Sequence, residues 1–368
     1  MATCAACGKG SLLIAQSLGS CGDCLRAGNR KAIETAEAKR RRARKEFDLP
    51  LEAPRDPDGV ACALCVRACR IGEGKRGFCG IRANQNGSLR GGDPSGARVQ
   101  YYHDPLPTNC VADWVCPEGS AQTRAAFRHA PGPAFRRTNL AVFYEACSFD
   151  CLFCQNWHYR PASKPGGRVS AADLAEAVDR HTACICYFGG DPAPQAEHAL
   201  EASRIARRRF PSQTLRICWE TNGSENPRVL DEIVGLSLET GGCIKFDLKA
   251  HNKHLHTALC GIDNRRTLAS FRRATARIGE RPDPPLVLAS TLLVPGYVDA
   301  GEVAEIARFI ADVDPSVPYS LLAFHPDFLM ADLPRTSSRH ARDAEQAARD
   351  AGLARVRVGN AHLLGDWY

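Results

Sequence analysis

The sequence predicts an α/β fold: a partial, open (β/α)6 barrel of the TIM type, carrying a Cys-rich metal-binding extension at its N-terminal side. Three observations predict it. From residue 140 onward, apolar strand-like runs alternate with helix-like segments. Those runs end one after another in polar or glycine-containing clusters. The chain also holds 18 cysteines in 368 residues, most of them in spaced groups at or before the first run.

The expected strands are Leu140–Ala146, Cys184–Phe188, Leu215–Trp219, Cys243–Leu248, Leu286–Val294 and Tyr319–Phe324. Helical candidates lie near 170–181, 194–209, 227–239, 264–278 and 300–313. A further helix near 338–351 precedes a last run, Arg355–Val358. Strand-then-helix units in sequence imply a parallel sheet with crossover helices. Closed barrels of this type have eight units, so six imply an open barrel with a wider mouth. The expected division is 1–47, 48–135 and 136–368: a zinc-ribbon-like segment with a basic helix, a Cys-rich extension, and the barrel.

In the first segment, Cys4 and Cys7 form one C-x2-C knuckle and Cys21 and Cys24 another. This pattern is specific for a ribbon holding zinc, with a rubredoxin-like iron as the alternative. So short a segment has no core of its own, and the metal would supply its folding energy. Residues 26–47 read as a charged helix containing a basic run at 30–45. A solvated helix or linker is the plainer reading of that run, and contact with nucleic acid the sharper one. No aromatic residue interleaves the run, so a base-stacking platform is not supported. Pro50, Pro54 and Pro57 then mark a linker. Cys62, Cys65, Cys69 and Cys79 follow among glycines, a set able to close a zinc site or to hold an auxiliary iron–sulfur cluster. Cys110 and Cys116 lie in a turn-rich stretch, either joining one of these sites or standing as free thiols.

The first expected strand runs into Cys147, Cys151 and Cys154, spaced C-x3-C-x2-C. Three thiolates in one tight loop can hold three irons of a four-iron cluster and leave the fourth open for another ligand. A zinc knuckle wants four ligands, and spacing alone leaves His158 open as a fourth. In parallel α/β folds, functional groups gather at the C-terminal ends of strands. Here the next ends are Gly189-Gly190-Asp191-Pro192 and Glu220-Thr221-Asn222-Gly223. Asp247 and Lys249 follow, sharing one strand face. Val294-Pro295-Gly296 and His325-Pro326 complete the series.

The segments EGKRGFCGIRAN (73–84), CSFDCLFCQNW (147–157), YFGGDPAPQ (187–195), WETNG (219–223), FDLKA (246–250), LLVPGYVD (292–299) and GLARVRVGN (352–360) occur in this order. Together they resemble radical S-adenosylmethionine (SAM) enzymes of the branch related to pyruvate formate-lyase activating enzyme. Within it they are most similar to the radical SAM member of the AmmeMemoRadiSam system. The resemblance implies a [4Fe-4S] cluster on Cys147, Cys151 and Cys154, with SAM chelating the open iron. It implies Phe153 against the adenine and Gly189, Gly190 and Asp191 at the methionine amino group. Asp247 and Lys249 would lie near the ribose and carboxylate, and Glu220, Asn222 and His325 would complete the cofactor site. Activating enzymes often carry Glu where this chain has Asp191, one methylene shorter. The implied chemistry is reductive cleavage of SAM to a 5′-deoxyadenosyl radical that removes hydrogen from a substrate. Flavodoxin or ferredoxin is the expected electron donor, and a protein or peptide the expected substrate. Radical modification of a small metabolite, or a zinc-ribbon protein that binds nucleic acid, are the alternatives.

Composition agrees with a globular chain: 44% hydrophobic and 24% charged, with net charge +7. No apolar stretch approaches a membrane span, and the first ten residues lack a signal-peptide pattern, so a cytoplasmic location is expected.

Overall fold

The computed structural model describes residues 1–108, 110–119, 127, 134–160 and 167–368. The ribbon consists of an antiparallel pair, β1 (Ala2–Thr3) and β2 (Gly10–Ser11), and a short helix α1 (Gly22–Arg26). Helix α2 (Arg30–Glu46) follows, its first turn capped by the Asn29 side chain, which accepts from the Ala32 N–H. Two small antiparallel pairs come next, β3 (Val60–Ala61) with β4 (Arg70–Ile71) and β5 (Ala83–Gln85) with β6 (Ser88–Arg90).

The main sheet is built from β7 (Ala97–Pro105), β8 (Thr138–Tyr144), β9 (Arg168–Val169), β10 (Thr182–Gly189), β11 (Arg216–Thr221), β12 (Ile244–Asp247), β13 (Val287–Leu293), β14 (Tyr319–Ala323) and β15 (Val356–Gly359). Its nine strands run in the order β15-β14-β13-β12-β11-β10-β8-β7-β9. β8 and β10 through β15 are parallel. The crossovers carry α3 (Ala171–Glu176), α4 (Ala196–Arg209), α5 (Pro227–Thr240), α6 (Lys253–Cys260), α7 (Arg265–Thr275), α8 (Ala300–Val313) and α9 (Ser338–Asp350). The expected α/β partial barrel is therefore present, six strand–helix units followed by the parallel strand β15. Among the described residues no helix is long and apolar enough to cross a membrane.

Two features were not expected. β7 pairs antiparallel with β8 from Val99↔Tyr144 to Pro105↔Thr138. Its sequence, ARVQYYHDP, is mostly exposed along its second half and lacks the apolar run of a central strand. Helix α6 is also new; the Asn252 side chain caps it by accepting from His254 and Leu255, and Gly261 ends it in the left-handed region.

The two faces of the sheet differ. Ile185, Tyr187, Ile217, Trp219, Ile244 and Phe246 turn outward and pack with the helices into the main core. The Tyr144 hydroxyl meets His198 on α4 at 2.8 Å, and Tyr187 meets Ser203 on the same helix at 2.7 Å. Strand alternation then places Cys184, Cys186, Phe188, Cys218, Glu220, Lys245 and Asp247 on the opposite, inner face. The apolar core thus fixes the strands while the inner face is left for chemistry.

Candidate active site

Cys147 follows β8 directly, and Cys151 and Cys154 complete the same loop. All three line one pocket of about 240 Å³ at the C-terminal ends of the parallel strands. Phe153, Gly189, Gly190, Asp191, Glu220, Asn222, Asp247 and Lys249 line it with them. Eight of the nine non-cysteine residues read from the sequence therefore meet here. His325 does not: its side chain is exposed, and its carbonyl accepts from Gln155 Nε2 at 3.2 Å. Among the described residues, no fourth cysteine and no histidine lines the pocket. His158 is exposed, its ring stacked on Trp157 at 4.2 Å. Cys260 hydrogen-bonds Cys151 but lies outside the pocket lining.

The loop is held from several sides. The Asp150 N–H donates to the Cys260 carbonyl at 3.0 Å and the Leu152 N–H to Leu259 at 3.0 Å, so α6 braces it. Asp150 is buried between the guanidiniums of Arg160 and Arg44. Asn222 Nδ2 reaches Ser148 Oγ at 3.2 Å and the Cys147 sulfur at 3.7 Å. Burial pushes the Cys147 and Cys154 thiols up, and the Cys260 hydrogen bond, then burial, does the same to Cys151. Metal binding there must release protons.

The Gly189-Gly190 pair has a packing reason. The Gly190 N–H donates to the Tyr144 carbonyl at 2.9 Å and the Asp191 N–H to Ala146 at 2.8 Å. A Cβ on Gly190 would stand 2.2 Å from the Ala146 carbonyl oxygen. The motif thus lets the second strand end lie against the thiol loop. Asp191 is buried and accepts from the N–H groups of Asn222 (2.7 Å) and Ala193 (2.8 Å) and from the Thr221 hydroxyl (3.1 Å). Burial pushes its carboxyl up to about 6, with those donors opposing the rise. Burial and then the Asp191 charge push Glu225, also on Thr221 Oγ1, up to about 8. Thr221 has one proton for two carboxyls, and a protonated Glu225 completes the chain. Asp191 is therefore the pin between two strand-end loops.

On the opposite wall Asp247 and Lys249 pair at 2.9 Å, and the Ser290 hydroxyl donates to Asp247 at 2.8 Å. Burial disfavours the Lys249 ammonium, but Asp247 outweighs it and holds the charge on. That ammonium stands 5.8 Å from the Phe153 ring centre. Lys245, two residues before Asp247 on the same face, lines the pocket and pairs with Glu220 at 2.7 Å. Sequence reasoning missed it, although the alternation that grouped Asp247 with Lys249 extends back to it.

The Cys62 group rests on this loop. The Val66 N–H donates to the Ser224 carbonyl at 2.8 Å, and Arg67 Nε to the Ser148 carbonyl at 2.7 Å. The Arg44 and Arg67 guanidiniums lie 3.6 and 3.7 Å from the centre of the Phe78 ring, between Cys69 and Cys79 in sequence. The basic run is thus partly internal: Arg40 and Arg44 are buried, and Arg40 donates to the Ala258 carbonyl on α6.

The ribbon is a different kind of site. The ligand atoms of Cys4, Cys7, Cys21 and Cys24 all lie within 4.8 Å of one another. Burial would push the Cys4 thiol up, but N–H groups led by that of Cys21 bring it down to about 6. The ribbon docks on the barrel through Tyr297, whose hydroxyl accepts from the Ala15 N–H (2.9 Å) and donates to the Ser20 carbonyl (3.0 Å). Gly296 is required there: a Cβ would meet the Leu13 carbonyl oxygen at 2.1 Å. Cys110 and Cys116 join neither this site nor the Cys62 group, but line a separate space with Cys184, Cys186, Cys218 and Cys243.

Comparison with known proteins gives the same region. Residues 141–310 match the model of the radical SAM superfamily. An uncharacterized protein of Methanocaldococcus jannaschii is 26% identical over 314 residues, covering 83% of this chain and 82% of that one. Pyruvate formate-lyase 1-activating enzyme of Escherichia coli is 26% identical over 201 residues, 53% of this chain and 76% of that one. The isethionate sulfite-lyase activating enzyme of Desulfovibrio desulfuricans is 33% identical over 168 residues, 44% of this chain and 50% of that one. Among solved structures, a domain of pyruvate-formate lyase-activating enzyme from Bacteroides vulgatus aligns with TM-score 0.37 and 22% identity, over 48% of this chain and 98% of that one.

Proposed function

We propose that this chain, a radical SAM enzyme by its domain at residues 141–310, cleaves SAM to abstract hydrogen from a protein or peptide substrate. The superfamily implies a [4Fe-4S] cluster and SAM, and the residues present fit both. The observation that carries the reading is the pocket itself: three thiols of one loop, with polar groups from successive strand ends. Three thiolates leave one iron of four without a protein ligand. When bound, the cluster would supply one electron to the SAM sulfonium, breaking its bond to C5′ and giving the 5′-deoxyadenosyl radical.

The protein's own part is to bind, orient and exclude. Cys147, Cys151 and Cys154 would hold the cluster, and Asn222 would fix Cys147 through its contact with the sulfur. Phe153 offers an apolar face for the adenine, and the Asp247–Lys249 pair offers an acceptor and a cation to the ribose and carboxylate. Gly189 and Gly190 would present backbone to the methionine end. Asp191 already accepts three hydrogen bonds, so its role there is to hold that backbone in place. Cys4, Cys7, Cys21 and Cys24 would hold zinc, and the Cys62 group a zinc ion or an auxiliary cluster. Flavodoxin or ferredoxin would deliver the electron.

A macromolecular target is supported by relatives whose names make them activators of other enzymes. The test is product analysis. Anaerobically reconstituted protein with SAM and dithionite should give 5′-deoxyadenosine and methionine. A fully iron-loaded preparation that yields neither would contradict the assignment.

A further inference from the structure

Below the pocket, the inner face of the sheet carries thiols that this chemistry does not use. Cys184 and Cys186 alternate along β10, and Cys218 on β11 is the register partner of Cys186. The Trp219 N–H donates to the Cys243 carbonyl at 2.9 Å, which sets Cys243 beside Cys218 at the entry to β12. Cys110 and Cys116 arrive from the segment between β7 and β8. All six border one cavity of about 30 Å³, together with Lys245 and Arg216.

In barrels of this type such positions are filled by branched aliphatic side chains. A single buried cysteine is an ordinary core residue; six from four separate chain segments around one space are not. Two buried cations face them. Lys245 Nζ donates to the sulfurs of Cys110 (3.2 Å) and Cys186 (3.1 Å). Arg216, with its side chain 1% exposed, gives one nitrogen to Glu118 and Phe127, while its Nε and Nη2 have no partner among the described residues. Buried cationic N–H groups without acceptors are costly unless an anion answers them. A thiolate-bound metal is such an anion. The thiols ring the cavity more widely than the ribbon's, which among the described residues is the group with all ligand atoms within 4.8 Å.

We infer that the barrel floor is a further metal centre, ligated by thiolates from Cys110, Cys186, Cys218 and Cys243, with Cys116 and Cys184 at its edge. Thiolates set this widely suit an iron–sulfur cluster, whose irons hold their sulfurs further apart than a single zinc or copper ion does. Lys245 also holds Glu220 of the pocket above, so filling the floor bears on the position of that carboxylate.

The test uses the full chain, reconstituted anaerobically with iron and sulfide, in a Cys147→Ala/Cys151→Ala/Cys154→Ala background. Adding Cys186→Ala and Cys218→Val is expected to remove at least one metal equivalent per chain and to leave the ribbon zinc in place. Iron lost together with labile sulfide supports the cluster; zinc or copper lost with sulfide unchanged would overturn it. Identical metal and sulfide contents in the two variants would overturn the inference and leave the thiols as barrel filling. Where the added pair prevents folding, native mass spectrometry of the unsubstituted holoprotein decides. Mass beyond what the ribbon, the Cys147 loop and the Cys62 group hold supports the centre; no excess overturns it. Either result leaves SAM cleavage by the unsubstituted enzyme as a separate question.

Discussion

The ribbon and the Cys147 loop both use clustered cysteines, yet they are built for opposite ends. In the ribbon four sulfurs converge on a point outside the barrel, and their surroundings serve only to dock them. In the loop three sulfurs border a pocket whose other walls are polar and come from different strands. Four converging donors close a metal's coordination, whereas three around a pocket leave a position for a ligand. The difference between a structural and a reactive centre therefore lies in ligand count and in what the vacancy faces.

That contrast can be broken by exchanging losses. Cys151→Ala should abolish SAM cleavage and lower bound iron while ribbon zinc stays constant, checked by product chromatography and metal analysis. Cys21→Ser should do the reverse. Zinc is lost and the chain is destabilised by more than about 3 kcal/mol, because metal affinity there is folding energy. The protein still folded should continue to cleave SAM, and a matched loss of both activities would erase the distinction. Gly190→Ala forces a Cβ toward the Ala146 carbonyl and should cost about 1–3 kcal/mol in denaturant unfolding while disturbing the iron site but not the ribbon. Asn222→Ala removes the contact to Cys147 and should lower cleavage roughly 10–100-fold with zinc unchanged.

A further effect concerns acid stability. Burial pushes His256, packed edge-on against Phe149, down to about 4. A depressed imidazole contributes stability that is present above its unfolded value near 6.5 and is lost as pH falls through about 4. His256→Gln should flatten the unfolding profile over that window by on the order of 2–3 kcal/mol relative to the parent. An unchanged slope would remove His256 as the brace behind the thiol loop.

Much of this site was legible because its signals are local. Cys147, Cys151 and Cys154 announce themselves by spacing, and each strand end carries its polar group within a few residues of an apolar run. What escaped was set by register and by contacts between distant segments. Lys245 follows from alternation only once β12 is known to face inward. Cys110 meets Lys245 from 135 residues away, which no spacing rule encodes. β7 was invisible because it is polar and exposed along its outer half, and His325 stands apart from the pocket because its side chain is exposed.

Electron paramagnetic resonance of the reduced, iron-loaded enzyme with and without SAM tests the central claim most directly. A cluster with one iron free of protein ligands should change its signal when SAM binds, and the change should vanish in Cys151→Ala. A strong reduced-cluster signal in the parent that SAM leaves unaltered would contradict the account.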